Sequence, residues 1–273
     1  QSVRAAQYGL TLNIKKKVLD MGDLYSNNYS QTFKIKSILN PSKFIYFLES
    51  KLMKRYENLC FRKFHKILLF SKKEINSLNI NNKKIQQINF GIDKTIRIYR
   101  YDKKNYKIIF IGNIKYLPNK IACENFITKI LPKIRKIHNE IQFHIIGEIS
   151  KFDELKWKQN KSVKIYGKVN NLKILLSKTI CGLANLNVSS GIQTKLLTYM
   201  SYGVPSISSR QVMQNFDAIS SSSLPYYKNE EEMLRLILKL KNSKHFSQKT
   251  SNNSYKIIKK FLWKKVLKEL DKI

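Results

Sequence analysis

Short apolar segments that alternate with helical patterns constrain the fold of the second half of this sequence more than any other feature. The segments are Lys107–Ile111, Gln142–Gly147, Val163–Gly167 and Cys181–Leu186. Helical patterns lie between them at Asn119–Ile137, which Pro132 should break, and at Asn171–Lys178. Such alternation is typical of a doubly wound parallel sheet, which binds its ligands at the carboxyl ends of its strands. The residues at those ends are Gly112, Gly147, Gly167 and the segment Ser189–Gln193.

The first half of the sequence has a second set of strand and helix patterns. The predicted strands are Lys16–Met21, Lys66–Ser71 and Ile85–Ile88, and the predicted helices run from Pro41 to Phe64 and from Lys73 to Leu78. Because Lys94–Asn105 has no apolar period, it is typical of a linker. We therefore predict two α/β domains, residues 1–95 and 96–256. Further helices are predicted at Asn229–Leu240 and from Asn253 to Ile273.

The segment Ser189–Ile207 predicts a polar turn, a helix, a second turn and a strand. Ser189 and Ser190 can cap the helix, and Gly203 ends it. A helix N-terminus carries about half a positive charge and several unpaired N–H groups, so it can hold a diphosphate. The residues in that position are Gly191, Ile192, Gln193 and Thr194, with Lys195 adding a cation. The alternative is an ordinary amphipathic helix that packs on the sheet and binds nothing.

Two aspartates follow the first predicted strand. Asp20 and Asp23 stand at its carboxyl end, where open α/β sheets place their ligands. Both carboxylates can therefore face a cleft. The alternative for Asp23 is that it caps the turn that follows.

The charge of the chain is extreme. Lys and Arg number 52 and Asp and Glu 18, which gives a formal net charge of +34. This charge suits a polyanion such as nucleic acid or an anionic membrane surface. However, Lys, Asn and Ile are frequent throughout the chain, which favours an AT-rich coding bias, and we expect no nucleic-acid partner. The densest basic segments, Lys15–Lys17, Lys51–Arg55 with Arg62–Lys66, and Lys256–Lys268, can still favour anionic lipid by about 1 kcal/mol per basic residue.

The cysteines and histidines do not predict a metal site. Cys60, Cys123 and Cys181 are far apart, which excludes the paired spacing of zinc sites and favours a reducing, cytosolic compartment. The four histidines, which we expect to be structural or on the surface, are His65, His138, His144 and His245. No run approaches the roughly 18 apolar residues that span a bilayer. Because the chain begins at Gln1 without Met, we expect an N-terminal portion to be missing.

Five short motifs, taken in order, resemble the glycosyltransferases of the two-Rossmann-domain (GT-B) architecture, specifically the retaining family 4, also called group 1. The motifs are Asn89–Asp93, Ile109–Asn113 with Tyr116–Asn119, Phe143–Gly147, Ile165–Val169 and Ser190–Lys195. The resemblance covers nearly all of the chain. It implies an α/β fold of two Rossmann-like domains, of which the N-terminal one, on the acceptor side, is incomplete. It also implies that residues 257–273, around Trp263, cross back onto that domain.

The resemblance implies a nucleotide-sugar donor between the domains and transfer of a hexose or related sugar, with retention, to a glycan or lipid-linked acceptor. Surface polysaccharide biosynthesis would be the pathway, on the cytoplasmic side of a membrane and with no metal or other cofactor. The implied contacts of the diphosphate are Gly112, Asn113, Lys115 and Gly191 to Lys195. The implied contacts of the base and ribose are Gly167, Lys168, Val169 and Thr198.

The sequence departs from the family at three positions. Ser190 and Thr198 replace a pair of glutamates, and Asn113 replaces an arginine, which leaves Lys115 as the nearest cation. Thr198 can bond a ribose hydroxyl, although without the charge that makes such a bond about twice as strong. The catalytic residues are not identified, and Asp23 and Thr198 are the candidates. The alternatives to an enzyme are a catalytically degenerate GT-B binding module or partner subunit and, from charge alone, a nucleic-acid-binding protein.

Overall fold

A computed structural model of the protein describes residues 3–38, 40–78, 83–189, 191–216 and 223–270. Two parallel sheets organise these residues, one of three strands and one of six. Helices pack around both sheets, so the fold is α/β, as the sequence predicts.

The smaller sheet and its helices form the first part of the chain. Its strands are β1 (Val18–Gly22), β2 (Lys66–Leu69) and β3 (Ile85–Gln87), in that order. Its helices are α1 (Ala6–Thr11), α2 (Tyr25–Ile35), α3 (Ser42–Lys63) and α4 (Lys72–Ser77). A single 3-10 turn, Val3–Ala5, precedes α1. The apolar core of this part lies between the sheet and α3, where Cys60, Phe61 and Ile67 are buried.

The larger sheet has the strand order β6-β5-β4-β7-β8-β9. Its strands are β4 (Lys107–Ile111), β5 (Gln142–Ile146), β6 (Val163–Tyr166), β7 (Thr179–Ala184), β8 (Ser206–Ser209) and β9 (Tyr226–Tyr227). The chain first builds outward from β4 to β6 and then returns to place β7 beside β4. Strand order therefore reverses between β4 and β7, which is where doubly wound sheets open a ligand crevice.

The helices of this second part cover both faces of the larger sheet. They are α5 (Leu117–Asn125), α6 (Leu131–Arg135), α7 (Lys151–Lys158), α8 (Thr194–Ser201), α9 (Arg210–Met213), α10 (Glu230–Asn242), α11 (Lys244–Ile258) and α12 (Trp263–Leu270). A π-helical segment, Phe126–Ile130, joins α5 to α6, and a 3-10 turn, Lys259–Phe261, precedes α12. The rings of Phe126 and Phe143 pack 4.5 Å apart between helix and sheet.

The last helix lies against the smaller sheet. Val266 of α12 is buried with Leu68 of β2 and Ile88 after β3. The backbone of Ile92 bonds to Phe261 and Trp263 on either side of a bridge to Leu262. The end of the chain therefore joins the two sheets.

Buried glutamates fix the start of α2. No side chain within the helix caps its first turn. Instead Glu57 of α3 accepts from the backbone N–H and the hydroxyl of Ser26, and Glu74 of α4 accepts from the N–H of Leu24 at 3.2 Å. These carboxyls supply the acceptors that the free N–H groups of a helix start require. The structure thus contains a helix that the polar sequence of α2 did not predict.

Several predicted elements need correction. The predicted helix at Asn171–Lys178 is a series of turns, because the segment is short and Lys178 takes a left-handed φ of +53°. The break predicted at Pro132 lies just before this residue: the π-helical segment Phe126–Ile130 interrupts the regular α-helix after Asn125, and Pro132 lies in the first turn of α6, where its missing N–H is tolerated. The prediction missed α2, α7, α9 and β9, and it began the last helical region at Asn253, whereas α11 already begins at Lys244.

Tyr199 anchors α8 to the centre of the larger sheet. Its side chain is fully buried. The hydroxyl accepts from the N–H of Ile111 at 2.8 Å and lies 3.2 Å from the carbonyl oxygens of Ile109 and Leu183. The ring covers Gly182, where an added Cβ would lie 2.4 Å from Tyr199 Cγ.

We expect Tyr199→Phe to lower the free energy of unfolding by about 1–3 kcal/mol, because it leaves buried backbone groups unpaired. Denaturant titration measures this change. The control is Tyr101→Phe, whose half-buried hydroxyl donates to the carbonyl of Lys241 at 3.0 Å and where water can replace the lost bond. Equal losses in the two variants would contradict the anchoring role.

We also expect the stability of the protein to depend on pH through Glu74. Burial, reinforced by the charge of Asp23, raises the pKa of Glu74 from 4.5 to about 8. The unfolded chain releases this proton near the ordinary value, whereas the folded chain holds it, so the free energy of unfolding falls as the pH rises through this window.

Glu74→Gln removes that dependence. The variant should therefore gain melting temperature relative to the wild type on going from about pH 5 to about pH 8. Glu231→Gln, on the exposed surface of α10, is the control for the loss of one negative charge. If the difference in melting temperature between Glu74→Gln and the wild type stays constant over this pH range, Glu74 is not protonated in the folded protein.

Candidate functional site

Glycine turns line the crevice where the strand order of the larger sheet reverses. Gly112 follows β4, and Gly147 follows β5 with a φ of +139°. The two turns touch, because a Cβ added at Gly147 would lie 2.0 Å from the carbonyl oxygen of Gly112. Only glycine permits this approach. The carboxyl ends of β4 and β5 are therefore held together as one surface.

The start of α8 forms the next part of this surface. The helix begins at Thr194, and Gln193 at its N-cap position makes no capping bond with its side chain. Gly191 precedes it with a φ of +66°. The predicted cap is corrected: Ser189 does not cap the helix, because its hydroxyl accepts instead from Gln193 Nε2 at 3.1 Å and Asn215 Nδ2 at 3.2 Å. Ser190 lies outside the described residues.

Asp23 approaches this surface from the smaller sheet. A Cβ added at Gly191 would lie 1.9 Å from Asp23 Oδ1, so the two residues are in contact across the cleft. Burial raises the pKa of Asp23 to about 6. The capping alternative does not hold, because Glu57 and Glu74 supply the acceptors at the start of α2. Asp20 remains within β1.

A short chain of hydrogen bonds also crosses between the two parts. The hydroxyl of Ser71, after β2, donates to Asn215 Oδ1 at 3.2 Å. The amide of Asn215 then donates to Ser189 in the loop before Gly191. The smaller sheet thus contacts this loop at two points, directly through Asp23 and through Asn215 from Ser71.

Lys195 has a different position from the predicted one. It is 6% exposed, and its Nζ donates to Asn119 Oδ1 at 2.6 Å and lies 4.0 Å from the centre of the Phe110 ring. Burial lowers the pKa of this amine to about 7. Asn119 in turn donates to the carbonyl of Asn113 at 2.8 Å. Lys195 therefore lies below the turn after β4, where its amine contacts the side-chain oxygen of Asn119 and the face of the Phe110 ring. It does not present its charge to the crevice.

The remaining predicted residues lie around the crevice and are exposed or half buried. Lys115 is exposed, with Nζ 3.4 Å from Glu148 Oε2, and Asn113 Oδ1 accepts from its N–H. Gly167 and Lys168 follow β6 on the surface, with Val169 half buried, and a Cβ added at Gly167 would meet no atom within 4 Å. Thr198 is half buried on the second turn of α8.

Thr198 already uses its hydroxyl proton within its own helix. Its Oγ1 donates to the carbonyl of Thr194 at 3.0 Å. The oxygen can still accept a bond from a ligand hydroxyl.

Sequence reasoning missed the role of Asn119 in holding Lys195 below the turn after β4. Its only signal was its place in the motif Tyr116–Asn119, which served to identify the family and not a contact. The described residues contain no group of three His, Cys, Asp or Glu side chains able to hold a metal ion. His144 is buried between Gln142 and Tyr166, which lowers its pKa to about 4. Within the described part of the chain, no helix is long and apolar enough to cross a membrane.

Solved glycosyltransferase structures share this fold. TarM from S. aureus matches with a TM-score of 0.73 at 14% identity, over 98% of this chain and 52% of TarM. HepE from Anabaena, solved with UDP and glucose, matches with a TM-score of 0.72 at 10% identity, over 100% and 76%. WaaG, a glycosyltransferase involved in lipopolysaccharide biosynthesis, matches with a TM-score of 0.64 at 10% identity, over 99% and 80%. The chain thus spans about half the length of TarM.

A comparison with curated protein sequences finds no match. The family comparison is positive: residues 105–242, half of the chain, match the model of the glycosyl transferases of group 1. This region contains β4 to β9 and the whole glycine-lined crevice. The chain, whose fold is GT-B, therefore belongs to the group 1 glycosyltransferase family.

Proposed function

We propose that the protein is a glycosyltransferase that moves a sugar from a nucleotide-diphosphate donor to a hydroxyl group of a glycan or lipid-linked acceptor. The observation that carries the proposal is the start of α8. It has no side-chain cap, follows a left-handed glycine and lies at the reversal of strand order, in contact with the opposite wall of the cleft. A helix terminus in such a place is suited to an anionic group.

The proposed donor lies with its diphosphate at the N–H groups of Gly191 to Thr194. These groups neutralise the charge that develops on the leaving diphosphate, so the reaction needs no metal ion or other cofactor. Lys115 is the exposed cation nearest the turn after β4, and Lys195 acts by holding that turn. The base and ribose would lie at Gly167, Lys168, Val169 and Thr198.

In the proposed reaction, the acceptor hydroxyl oxygen forms a bond to the anomeric carbon of the sugar. The bond from that carbon to the diphosphate oxygen breaks, and the nucleoside diphosphate leaves with the electron pair. The hydroxyl proton passes to the leaving phosphate or to solvent. We propose retention of configuration and a hexose as the transferred sugar, from the resemblance to family 4. Asp23 and Thr198 remain the candidates for catalytic residues.

Other members of the fold class support the choice of nucleotide. HepE has been solved with UDP and with UDP-glucose, and a TarM variant with UDP and fondaparinux. UDP is therefore the first nucleotide to test here. The competing function is a GT-B binding module without turnover, which the replacement of the glutamate pair by Ser190 and Thr198 favours. The two differ in whether UDP-sugar is consumed.

We expect the chain to bind UDP and expect Gly191→Ala to weaken that binding by at least about tenfold. The added Cβ would overlap with Asp23 Oδ1 at 1.9 Å and force the loop away from the start of α8. Isothermal calorimetry measures the affinity. Gly203→Ala is the matched control, because Gly203 has a similar φ of +70° at the other end of α8, away from the crevice. Equal effects of the two substitutions would overturn the diphosphate site.

The same titration tests the ribose contact. Thr198→Val should lower the affinity for UDP by about 0.5–1.5 kcal/mol, the worth of one neutral hydrogen bond. Because Thr198 is half buried, its replacement should leave the melting temperature nearly unchanged. Unchanged affinity would remove Thr198 from the site.

We also propose a cytoplasmic location with peripheral contact to an anionic membrane, in surface polysaccharide biosynthesis. The first turns of α3 support the membrane contact. Phe44, Phe47, Leu48 and Leu52 lie at helical spacing and are 40% to 64% exposed. Lys51, Lys54 and Arg55 lie among them. Such a face suits the boundary between headgroups and acyl chains.

We expect the protein to sediment with vesicles that contain phosphatidylglycerol and expect Leu48→Ser with Leu52→Ser to reduce this binding. Two leucines that bury in lipid contribute about 1.5–3 kcal/mol each, so the loss should exceed tenfold, or about 1.4 kcal/mol. The control pair is Phe152→Ser with Leu155→Ser, on α7, whose side chains are 73% and 71% exposed. Equal losses in both pairs would contradict a membrane role for α3.

A further inference from the structure

A cavity of about 740 Å³ opens between the two parts of the chain, beside the crevice. Its walls come from α2 and α3 on one side and from the turns after β4 and β5 on the other. Asp23 lines this cavity and also contacts Gly191. A molecule held in the cavity would therefore lie next to the proposed diphosphate site.

The cavity is rich in tyrosine. Four of its 14 lining side chains are tyrosines, whereas the chain has 15 tyrosines among 273 residues. Tyr25 and Tyr29 meet edge to face with ring centres 6.4 Å apart, and Tyr29 and Tyr46 are 6.0 Å apart. All three are half buried, so part of each ring remains open. Sugar rings present C–H groups that pack against the negative face of an aromatic ring.

Cations lie on these rings. The guanidinium of Arg4 is 5.9 Å from the centre of the Tyr25 ring, and Lys36 Nζ is 5.0 Å from that of Tyr46. Neither cation forms an ion pair with a carboxylate of the described residues. Because the whole chain is basic, cations alone would decide nothing. What matters is that these two cations lie on tyrosines of the cavity, which places positive charge at the edge of a surface suited to sugars.

We propose that this cavity receives the acceptor and that the acceptor is an anionic glycan. Its sugar rings lie against Tyr25, Tyr29 and Tyr46, and its carboxylate or phosphate groups meet Arg4 and Lys36. The inference rests on the proposed function, because an acceptor requires a donor. It goes further by assigning a charge to the acceptor and a site to its recognition.

The test compares two oligosaccharides that differ only in charge: tetragalacturonate and the galactose tetramer made by reducing its carboxyl groups. We expect the full chain to bind the charged tetramer about tenfold more tightly, as charge-assisted bonds permit. Lys36→Gln should remove most of this preference. Lys239→Gln is the matched control, because Lys239 also lies on an aromatic ring, 4.6 Å from the centre of Phe246, but at a distant site.

Tyr29→Leu separates sugar recognition from simple charge attraction. This substitution should lower the affinity for both tetramers to the same extent, because both lose a ring against which their sugars pack. Tyr226→Leu, an exposed tyrosine on β9, is its control. A glycerol phosphate oligomer is the second charged probe. Tighter binding of that probe or of tetragalacturonate assigns the acceptor's charge to phosphate or to carboxylate.

Three results would overturn the inference. Equal affinity for the two tetramers, including failure to bind either, excludes an anionic acceptor. Equal losses of affinity for tetragalacturonate in Lys36→Gln and Lys239→Gln would mean that binding depends on the net charge of the chain and not on this cavity. Binding of tetragalacturonate by a chain that does not bind UDP excludes an acceptor role and overturns the proposed function as well. UDP binding without a preference between the tetramers overturns this inference alone.

Discussion

The candidate site depends on the hydrogen bonds of the Tyr199 hydroxyl. This hydroxyl joins α8 to β4 and β7, the two strands between which the order of the sheet reverses. Because the phenol is fully buried, these bonds have no competition from water and fix the helix along its axis. The start of α8 then stands beside the turns after β4 and β5. The candidate site is made from loops, and one buried side chain at the centre of the sheet fixes the helix that begins beside them.

The second wall of the cleft depends on contacts that are distant in the sequence. Asp23 contacts Gly191, and hydrogen bonds through Asn215 connect Ser71 to Ser189. Helix α12 packs against β2. Each contact joins a residue of the smaller sheet to one of the second half of the chain. Opening the cleft would expose the buried carboxyl of Asp23 and lower its pKa toward the ordinary value. A change in the distance between the walls is therefore coupled to protonation at the point where the donor and acceptor would meet.

Strands β2, β4, β5 and β7 were predicted well because each is a short, largely buried apolar run, and that pattern needs no partner to be recognised. The two-residue strand β9 has no such pattern and was missed. By contrast, α2 has a polar sequence and is held by Glu57 and Glu74, which lie far along the chain. The sequence predicts Lys195 in the crevice because it directly follows the predicted phosphate-binding residues. In the structure its amine is buried against Asn119 and Phe110, which are distant in the sequence. The site residues themselves stay predictions. In each case the local sequence pattern does not reveal which distant residue makes the contact.

The charge of the chain illustrates the same limit. A formal charge of +34 suits nucleic acid, anionic lipid or an anionic glycan equally well. These partners are distinguished by what surrounds the cations. On α3 the cations stand among exposed leucines and phenylalanines, which suits a lipid surface. In the cavity beside Asp23 they lie on tyrosines, which suits sugar rings. The neighbours of each cation, and not their number, therefore decide which anion a given part of this protein can select.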